Sequence, residues 1–352
     1  MTVSVCMICR NEEATLPTAL ASVQGLADEV VIVDTGSTDA TVAVARAAGA
    51  TVIEGGDRRH KAAERNHAAD ASTGDWIVVL DADERVADPA GVRALLDTTP
   101  ARAVYIKLAY MDGDGKETLS YAQMRCWRRG TYRYHYRAHE VPLPVDGNYG
   151  NVERTAFVWE HRPPEGRAWK ADHYLMLLLM DDEEHPDDPR IKYYLSRQWM
   201  YVGAYRKCIE VTERFLALTM QGDRDRADAY GNMAQCYVAL GKRQLARDAL
   251  WGAVREEPGR REWWGCLAEM YHDDKRFDLA AGLLTTLLAL DGTGYYRNEW
   301  WHGYYPHDLL ARCLWQLGRY DEGRRHAERA CELSDLEYLR RNLRWFEDRV
   351  AA

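Results

Sequence analysis

The sequence predicts two halves of different fold class: an α/β N-terminal domain with a mostly parallel, Rossmann-like sheet over residues 1–165, and an all-α helical-repeat domain over 166–352. Three observations predict this. Short β-branched or aliphatic runs alternate with helix-patterned ones through the first 84 residues, the rhythm of βα units. After Pro163 and Pro164 the pattern becomes continuously helical, rich in Leu, Ala, Tyr and Trp. Between them, the unalternated apolar run Trp76–Leu80 ends in Asp81 and Asp83. A run of that kind reads as a strand buried on both faces, and open α/β sheets bind ligands at the carboxyl ends of such strands.

With 352 residues, 47% of them apolar and 29% charged, the chain can bury two cores. Net charge is −9. Residues 1–165 carry 18 basic against 24 acidic side chains (−6), and the remainder 28 against 31 (−3), so neither half is a basic nucleic-acid module by charge. Eight scattered cysteines lack the density of a disulfide scaffold. Cys6 and Cys9 have CxxC spacing, but their odd separation on a strand sends them to opposite faces, so they read as core thiols. The opening VSVCMI lacks the pattern of a signal peptide, and the longest apolar run, Tyr174–Met180, is far short of the ~20 residues of a spanning helix. A soluble cytoplasmic protein is expected.

In order, strands are expected at Val3–Ile8, Val30–Val33, Thr51–Ile53 and Ile77–Leu80, with helices at Glu12–Val23, Thr38–Ala48 and Lys61–Ala71. The first strand runs into Arg10, Asn11 and Glu12, donors and acceptors that suit a nucleotide's sugar or base; Asn11 equally suits an N-cap. The second ends in DTGSTDAT. There Gly36 permits an unusual turn and Ser37 or Thr38 can cap the next helix, while Asp34 can accept from a base N–H or a ribose hydroxyl. DTGS also spells the aspartic-protease tetrad. Such enzymes pair two Asp-bearing turns, whereas here the tetrad occurs once and leads into a helix. On the third helix Lys61 and Arg65 lie four apart, on one face, where they could meet phosphate or base, or form a solvated face.

Asp81 and Asp83 are spaced to share one hard divalent cation and its phosphate load, although an acidic strand end can also be a plain cap. Further strands are expected at Tyr105–Tyr110 and Leu119–Trp127, joined by the turn MDGDGKE. From Tyr132 to Arg137 residues alternate, which would place Tyr132, Tyr134 and Tyr136 on one face and Arg133, His135 and Arg137 on the other. No acid falls between Glu117 and Glu140. The expected result is either a basic, aromatic ridge for an anionic group of donor or acceptor, Arg137 included, or a half-buried strand with Tyr inward.

Taken together, the first strand with its RNE, then DTGSTD, the RN pair Arg65–Asn66 and LDADE resemble the inverting family 2 glycosyltransferases of GT-A fold, across residues 3–84. The resemblance is to the subgroup with the DTGSTD spelling, which includes lipopolysaccharide-core glucosyltransferases and some peptide S-glycosyltransferases. It implies Asp34 and Arg65 at the nucleotide base, Asp81 toward ribose and metal, and Asp83 as direct ligand of Mn²⁺ or Mg²⁺. His161, in FVWEHRP, falls where GT-A enzymes often supply a further metal ligand, and neutral imidazole suits Mn²⁺ better than Mg²⁺. His139 and Glu140 fall where that subgroup has an HE pair near the acceptor, which makes Glu140 the candidate base. Only one base is needed, since the metal stabilises the departing phosphate.

In the second half, Ala227–Pro258 resembles a tetratricopeptide repeat, with Ala234, Gly241, Ala246, Ala253 and Pro258 at the small-residue, turn and stop positions. Equivalent turns at Gly203, Gly241, Lys275 and Gly318 are 38, 34 and 43 residues apart, against the ~34 of that repeat. Four units follow, the first and last degenerate. Between the third and fourth lies an aromatic insertion, Gly292–Tyr305, where Trp300 and Trp301 could stack on an acceptor or fill an interface. The expectation is metal-dependent inverting transfer of a hexose from a nucleotide-diphosphate sugar, with UDP the implied nucleotide. The acceptor is a protein or peptide side chain in the preferred reading, a saccharide or hydroxymethylated DNA base in the alternative, and the repeats select it or make a homodimer. A non-catalytic repeat scaffold is the rival from another class.

Overall fold

The computed structural model describes the chain except residues 57–58, 164–170, 224, 292–297 and 351–352. It divides into two compact units, Met1–Glu184 and His185–Ala352.

In the first unit, strands β1 (Val3–Cys9), β2 (Glu29–Asp34), β3 (Thr51–Glu54) and β4 (Trp76–Val79) are joined by helices α1 (Leu16–Ser22), α2 (Thr41–Ala47) and α3 (Lys61–Asp70). The four strands run parallel in the order β3-β2-β1-β4. Beyond them, β5 (Glu84–Val86) leads into α4 (Pro89–Thr98), β6 (Ala103–Met111), β7 (Glu117–Arg128), a separate hairpin of β8 (Tyr132–His135) and β9 (Val141–Pro144), and finally β10 (Val152–His161). The sheet is completed as β4-β7-β6-β10-β5, with β7 antiparallel to β4 and β6 parallel to β10. A mixed, mostly parallel-cored sheet of eight strands results. Its central strand β4 is buried along its whole length, as an unalternated apolar run requires.

The two faces carry separate cores. Val5, Met7 and Cys9 pack with Leu16, Leu20 and Val78 on one side; Cys6, Val33, Ile77 and Val79 pack with Ala62, Trp127 and Tyr134 on the other. Cys6 and Cys9 therefore point to opposite faces, and all eight cysteines are free thiols.

Three local expectations are corrected. Helix α1 starts at Leu16 with Pro17 in its first turn, not at Glu12: Asn11 is left-handed (φ 54°), and Glu12–Thr15 form a turn in which the Glu12 carbonyl accepts from the Thr15 amide at 3.1 Å and the Leu16 amide at 2.9 Å. Helix α2 starts at Thr41; Asp39, not Ser37 or Thr38, accepts from the Thr41 amide at 2.9 Å. The alternation from Tyr132 stops at His135, because Tyr136 turns to φ 71°.

Helix α5 (Ala171–Glu184), which follows, falls in the first unit, so the division lies one helix beyond residue 165. A buried anchor accounts for this. The Arg137 amide donates to Asp181 Oδ2 at 2.9 Å, and its guanidinium to Asp181 Oδ1 at 3.1 Å and to both Glu184 oxygens at 2.6 Å. Pro164, one of the two prolines that mark the change of pattern, lies outside the described residues.

The second unit is a row of antiparallel helix pairs: α6 (Pro189–Tyr201) with α7 (Tyr205–Leu218), α8 (Arg226–Ala239) with α9 (Arg243–Glu256), α10 (Arg261–Asp273) with α11 (Phe277–Ala289), and α12 (Tyr305–Gln316) with α13 (Tyr320–Leu333), closed by α14 (Glu337–Val350). The turn inside each helix pair has one residue of positive φ: Gly203, Gly241, Lys275 and Gly318. Glycine also brings neighbouring helices together where a ring must fit, since a Cβ on Gly231 would meet the Trp263 ring at 2.5 Å. Ala246 and Ala253 are fully buried at the small-residue positions. Among the described residues no helix is long and apolar enough to cross a membrane.

Candidate functional site

The carboxyl ends of the parallel strands gather the site. Immediately after β4 the chain turns tightly. The Glu84 amide donates to the Asp81 carbonyl at 3.0 Å, and the Asp81 amide donates to Glu84 Oε2 at 3.0 Å. Asp81 is thereby aimed at two arginines. Arg65 Nη2, from α3, lies 2.8 Å from Asp81 Oδ1, and Arg125 Nη1, from β7, lies 3.8 Å from Asp81 Oδ2. Arg65 also donates from Nε and Nη2 to Glu140 Oε1, each at 3.2 Å, and stacks on the Tyr134 ring. Arg125 donates to Glu84. The result is a line of alternating charge, Glu140, Arg65, Asp81, Arg125, Glu84, buried except at Asp81 and Glu140, which are half-buried.

Charges this far from water are tolerated only when paired. Burial pushes the Asp81 carboxyl up, but Arg65 and Arg125 more than reverse it and hold it well below the usual carboxylate range. Glu140 follows the same logic: burial raises it, while Arg65 and Lys61 bring it down on balance. At the far end burial wins, and Glu84 is pushed up to about 7, with Arg125 opposing the shift and the Asp81 charge adding to it. Two nitrogens, Arg65 Nη1 and Arg125 Nε, are buried without a hydrogen-bond partner among the described residues. Unsatisfied cationic donors in such a place are suited to an anionic ligand.

Asp83 stands beside this line with its side chain 9% exposed, and its carbonyl accepts from the Arg162 amide at 2.8 Å. His161, the last residue of β10, reaches it because β10 and β5 pair antiparallel, with His161 opposite Glu84. His161 Nδ1 is 3.5 Å from Asp83 Oδ1 and, among the described residues, is buried without a hydrogen-bond partner; the ring rests edge-on against Tyr110. An imidazole nitrogen facing a carboxylate oxygen at that separation is a donor pair that fits one divalent cation. Among the described residues no three His, Cys, Asp or Glu side chains converge on a complete metal cage. A cation here would complete its shell from ligand phosphate, as Mg²⁺ sites commonly do.

The remaining residues expected at the donor divide in two. Asp34 is used within its own turn, accepting from the amides of Gly36 (3.1 Å) and Ser37 (3.0 Å). Asn11 ties the first loop to the second: its Oδ1 accepts from the Thr38 amide at 2.8 Å, and its own amide donates to Ser37 Oγ at 3.0 Å. Glu12 is buried, its amide donating to Thr41 Oγ1 and its carboxylate accepting from Thr15. These three build the loops. Arg10 is exposed, and Lys61 lies 5.9 Å above the Tyr174 ring, close enough to Asp81 and Glu140 to lower both.

The expected basic ridge is not present. Tyr132 and Tyr134 turn inward onto Trp127, Arg133 pairs with Asp70, and Arg137 is held by Asp181 and Glu184, so Arg137 is an internal anchor and not an acceptor contact. His139 stays exposed, its ring 5.7 Å from that of Tyr174, in a left-handed conformation (φ 53°). Asn11, Tyr136 and His139 are three of the five described non-glycine residues with positive φ, and such strain concentrates at functional sites. In the second unit Trp301 is corrected as well. Only 4% exposed, it lies where a Cβ on Gly265 would meet its ring at 2.4 Å, so it fills the helical core. Trp300 is 47% exposed and packs on Tyr305 with centroids 4.4 Å apart. Residues 292–297 of the aromatic insertion lie outside the described residues.

Sequence reasoning missed Arg125 and Glu84. Glu84 adjoins the paired aspartates and was within reach of inspection. Arg125 meets them only because β7 pairs antiparallel with β4 in the register Val78 opposite Cys126, which no local signal encodes.

Residues 4–151 match the family model described as Glycosyl transferase family 2. The lipopolysaccharide core biosynthesis glycosyltransferase LpsC of Rhizobium meliloti is 32% identical over 208 residues, covering 53% of this chain and 74% of LpsC. A TPR repeat-containing protein of Synechococcus elongatus is 50% identical over 84 residues, which are 24% of this chain and 21% of that protein. The chain spans between 21% and 29% of the length of the first four curated relatives it matches. Among solved structures, YrrB, titled a TPR protein with an unusual peptide-binding site, matches with 16% identity and a TM-score of 0.41, covering 49% of this chain and 84% of that one.

Proposed function

Because the chain belongs to glycosyl transferase family 2, we propose that its first unit transfers a hexose, with inversion, from a nucleotide-diphosphate sugar to an acceptor, the nucleotide being uridine. The observation that carries this reading is the pairing of Asp83 with His161 beside the Asp81–Arg65–Glu140 cluster, at the strand ends where α/β sheets take ligands. Asp83 and His161 would hold Mn²⁺ or Mg²⁺, and the ion would neutralise charge on the departing diphosphate.

The chain's own residues account for the rest. Arg65 and Lys61 offer positive charge to donor phosphate or base, and exposed Arg10 lies on the loop after β1. Asp34, Asn11 and Glu12 shape the two loops that flank the nucleotide. Glu140 is the proposed base. Held ionised by Arg65, it can accept the acceptor's proton, and it becomes more basic when donor phosphate competes for that arginine.

The acceptor is a saccharide or a polypeptide side chain. The resemblance to LpsC, a lipopolysaccharide core biosynthesis glycosyltransferase, supports the first. The DNA-base reading loses its ground with the basic ridge. A cytoplasmic location and a dimer through the repeats belong to the same proposal. The test is to incubate the protein with UDP-, GDP- and TDP-hexoses, Mn²⁺ and candidate acceptors and to follow nucleotide release and the anomeric configuration of the product by NMR. Release from UDP-hexose with inversion is expected; release of pyrophosphate, or retention, would refute it.

A further inference from the structure

The second unit contains a pocket that the transfer chemistry does not use. It lies among α10, α12 and α14 and has a volume of about 350 Å³, within the range of small-molecule sites, which begins near about 300 Å³. Its apolar walls are aromatic apart from Ala311: Phe277, Trp315, Trp345 and Phe346, with no Leu, Ile, Val or Met. Trp345 is 45% exposed at the rim of this pocket. Trp315 lies 6.3 Å from it and is fixed edge-on by Phe346, with centroids 5.1 Å apart. Polar groups interleave with these rings: His272, Asp273, Lys275, Arg312 and Gln316, while the buried Asn342 amide donates to Asp308 at 2.9 Å.

A second, independent observation marks the same place. The turns within the four helix pairs each hold a left-handed residue, and three supply glycine at φ 76°, 72° and 71°. The fourth supplies Lys275 at φ 58°, a conformation that a side chain strains to adopt. Glycine would fit that turn better. What lysine adds is an exposed ammonium on the pocket wall, and strain retained at one position of a repeat points to use.

We propose that this pocket binds a saccharide. Flat ring faces without aliphatic side chains match the C–H face of a pyranose, and the Gln316 amide, the Arg312 guanidinium and the Asp273 carboxylate around them match its ring of hydroxyls. An apolar peptide anchor would call for aliphatic walls that are missing. As a saccharide site the pocket stands on its own observations; as the place that holds the acceptor it rests on the transfer reading above.

The experiment is retention of the full-length protein on an array of defined neutral and acidic oligosaccharides, with no nucleotide sugar present, so that the outcome is independent of catalysis. The wild type is expected to be retained by one or more glycans. Trp345→Ala should weaken retention at least tenfold, Trp345→Phe should restore most of it, and Lys275→Gly should weaken it while raising the melting temperature. No retained glycan, retention unchanged in both Trp345→Ala and Lys275→Gly, or displacement of the glycan by an unrelated extended peptide would each overturn the proposal.

Discussion

Arg65 Nη2 stands 2.8 Å from Asp81 Oδ1 while the same guanidinium donates to Glu140 at 3.2 Å, so one buried cation neutralises two half-buried carboxylates from different elements. Removing it would leave Asp81 with Arg125 at 3.8 Å and Glu140 with only the charge of Lys61. Arg65→Ala is expected to cost about 3–5 kcal/mol of stability, the usual consequence of breaking a buried pair from one side, and to abolish transfer. Equilibrium denaturation checks this; a change below about 1 kcal/mol would show that water or rearrangement satisfies Asp81 and Glu140 without it.

Glu140 has a different signature. Glu140→Gln keeps an acceptor for Arg65 but cannot take a proton, so kcat should fall by about 10²–10⁴ with nucleotide affinity unchanged. Steady-state kinetics beside a UDP titration separates the two effects. A loss confined to KM would move the base elsewhere.

Trp300 and Trp301 are neighbours with opposite fates. Trp301→Ala opens a cavity against Gly265 and should cost about 3–5 kcal/mol. Trp300→Ala should change stability by no more than about 1 kcal/mol, as for a surface position. Thermal melts of the two variants measure the contrast.

In the helical unit, His307 Nδ1 and His326 Nδ1 face each other at 2.9 Å. Burial, then the neighbouring His326, Arg329 and Arg261, push His307 down to about 4, against the opposing charge of Glu332; burial and Arg325 lower His326 in the same direction, with Glu322 opposing. A histidine lowered in the folded state takes up its proton more readily when unfolded. Its contribution to stability is therefore complete above the unfolded value near about 6.5 and is lost as pH falls from there toward about 4. Melting temperature should decline across that window, and His307→Gln should flatten the decline.

Much of this architecture was legible because it depends on short-range patterns. The four parallel strands appear as apolar runs within a residue or two of their bounds, and Asp81 and Asp83 follow a strand end as the apolar run before them implied. What escaped depends on partners distant in sequence. Arg125 joins the site only through the β4–β7 register, Arg137 is drawn inside by Asp181 more than forty residues away, and the alternation from Tyr132 ends because Tyr136 adopts a conformation that no residue pattern announces. Trp301 fits the core because glycine at 265 leaves room for it, a complementarity visible only once α10 and the turn before α12 are brought together.

The central claim is that Asp83 and His161 together hold a cation that carries a nucleotide diphosphate. Calorimetric titration of UDP into the full-length protein, with and without Mn²⁺, tests it most directly. Binding should require the metal, and Asp83→Ala should lose it while keeping the wild-type melting profile. UDP binding of equal strength after chelation, or full metal-dependent affinity in Asp83→Ala, would contradict the account.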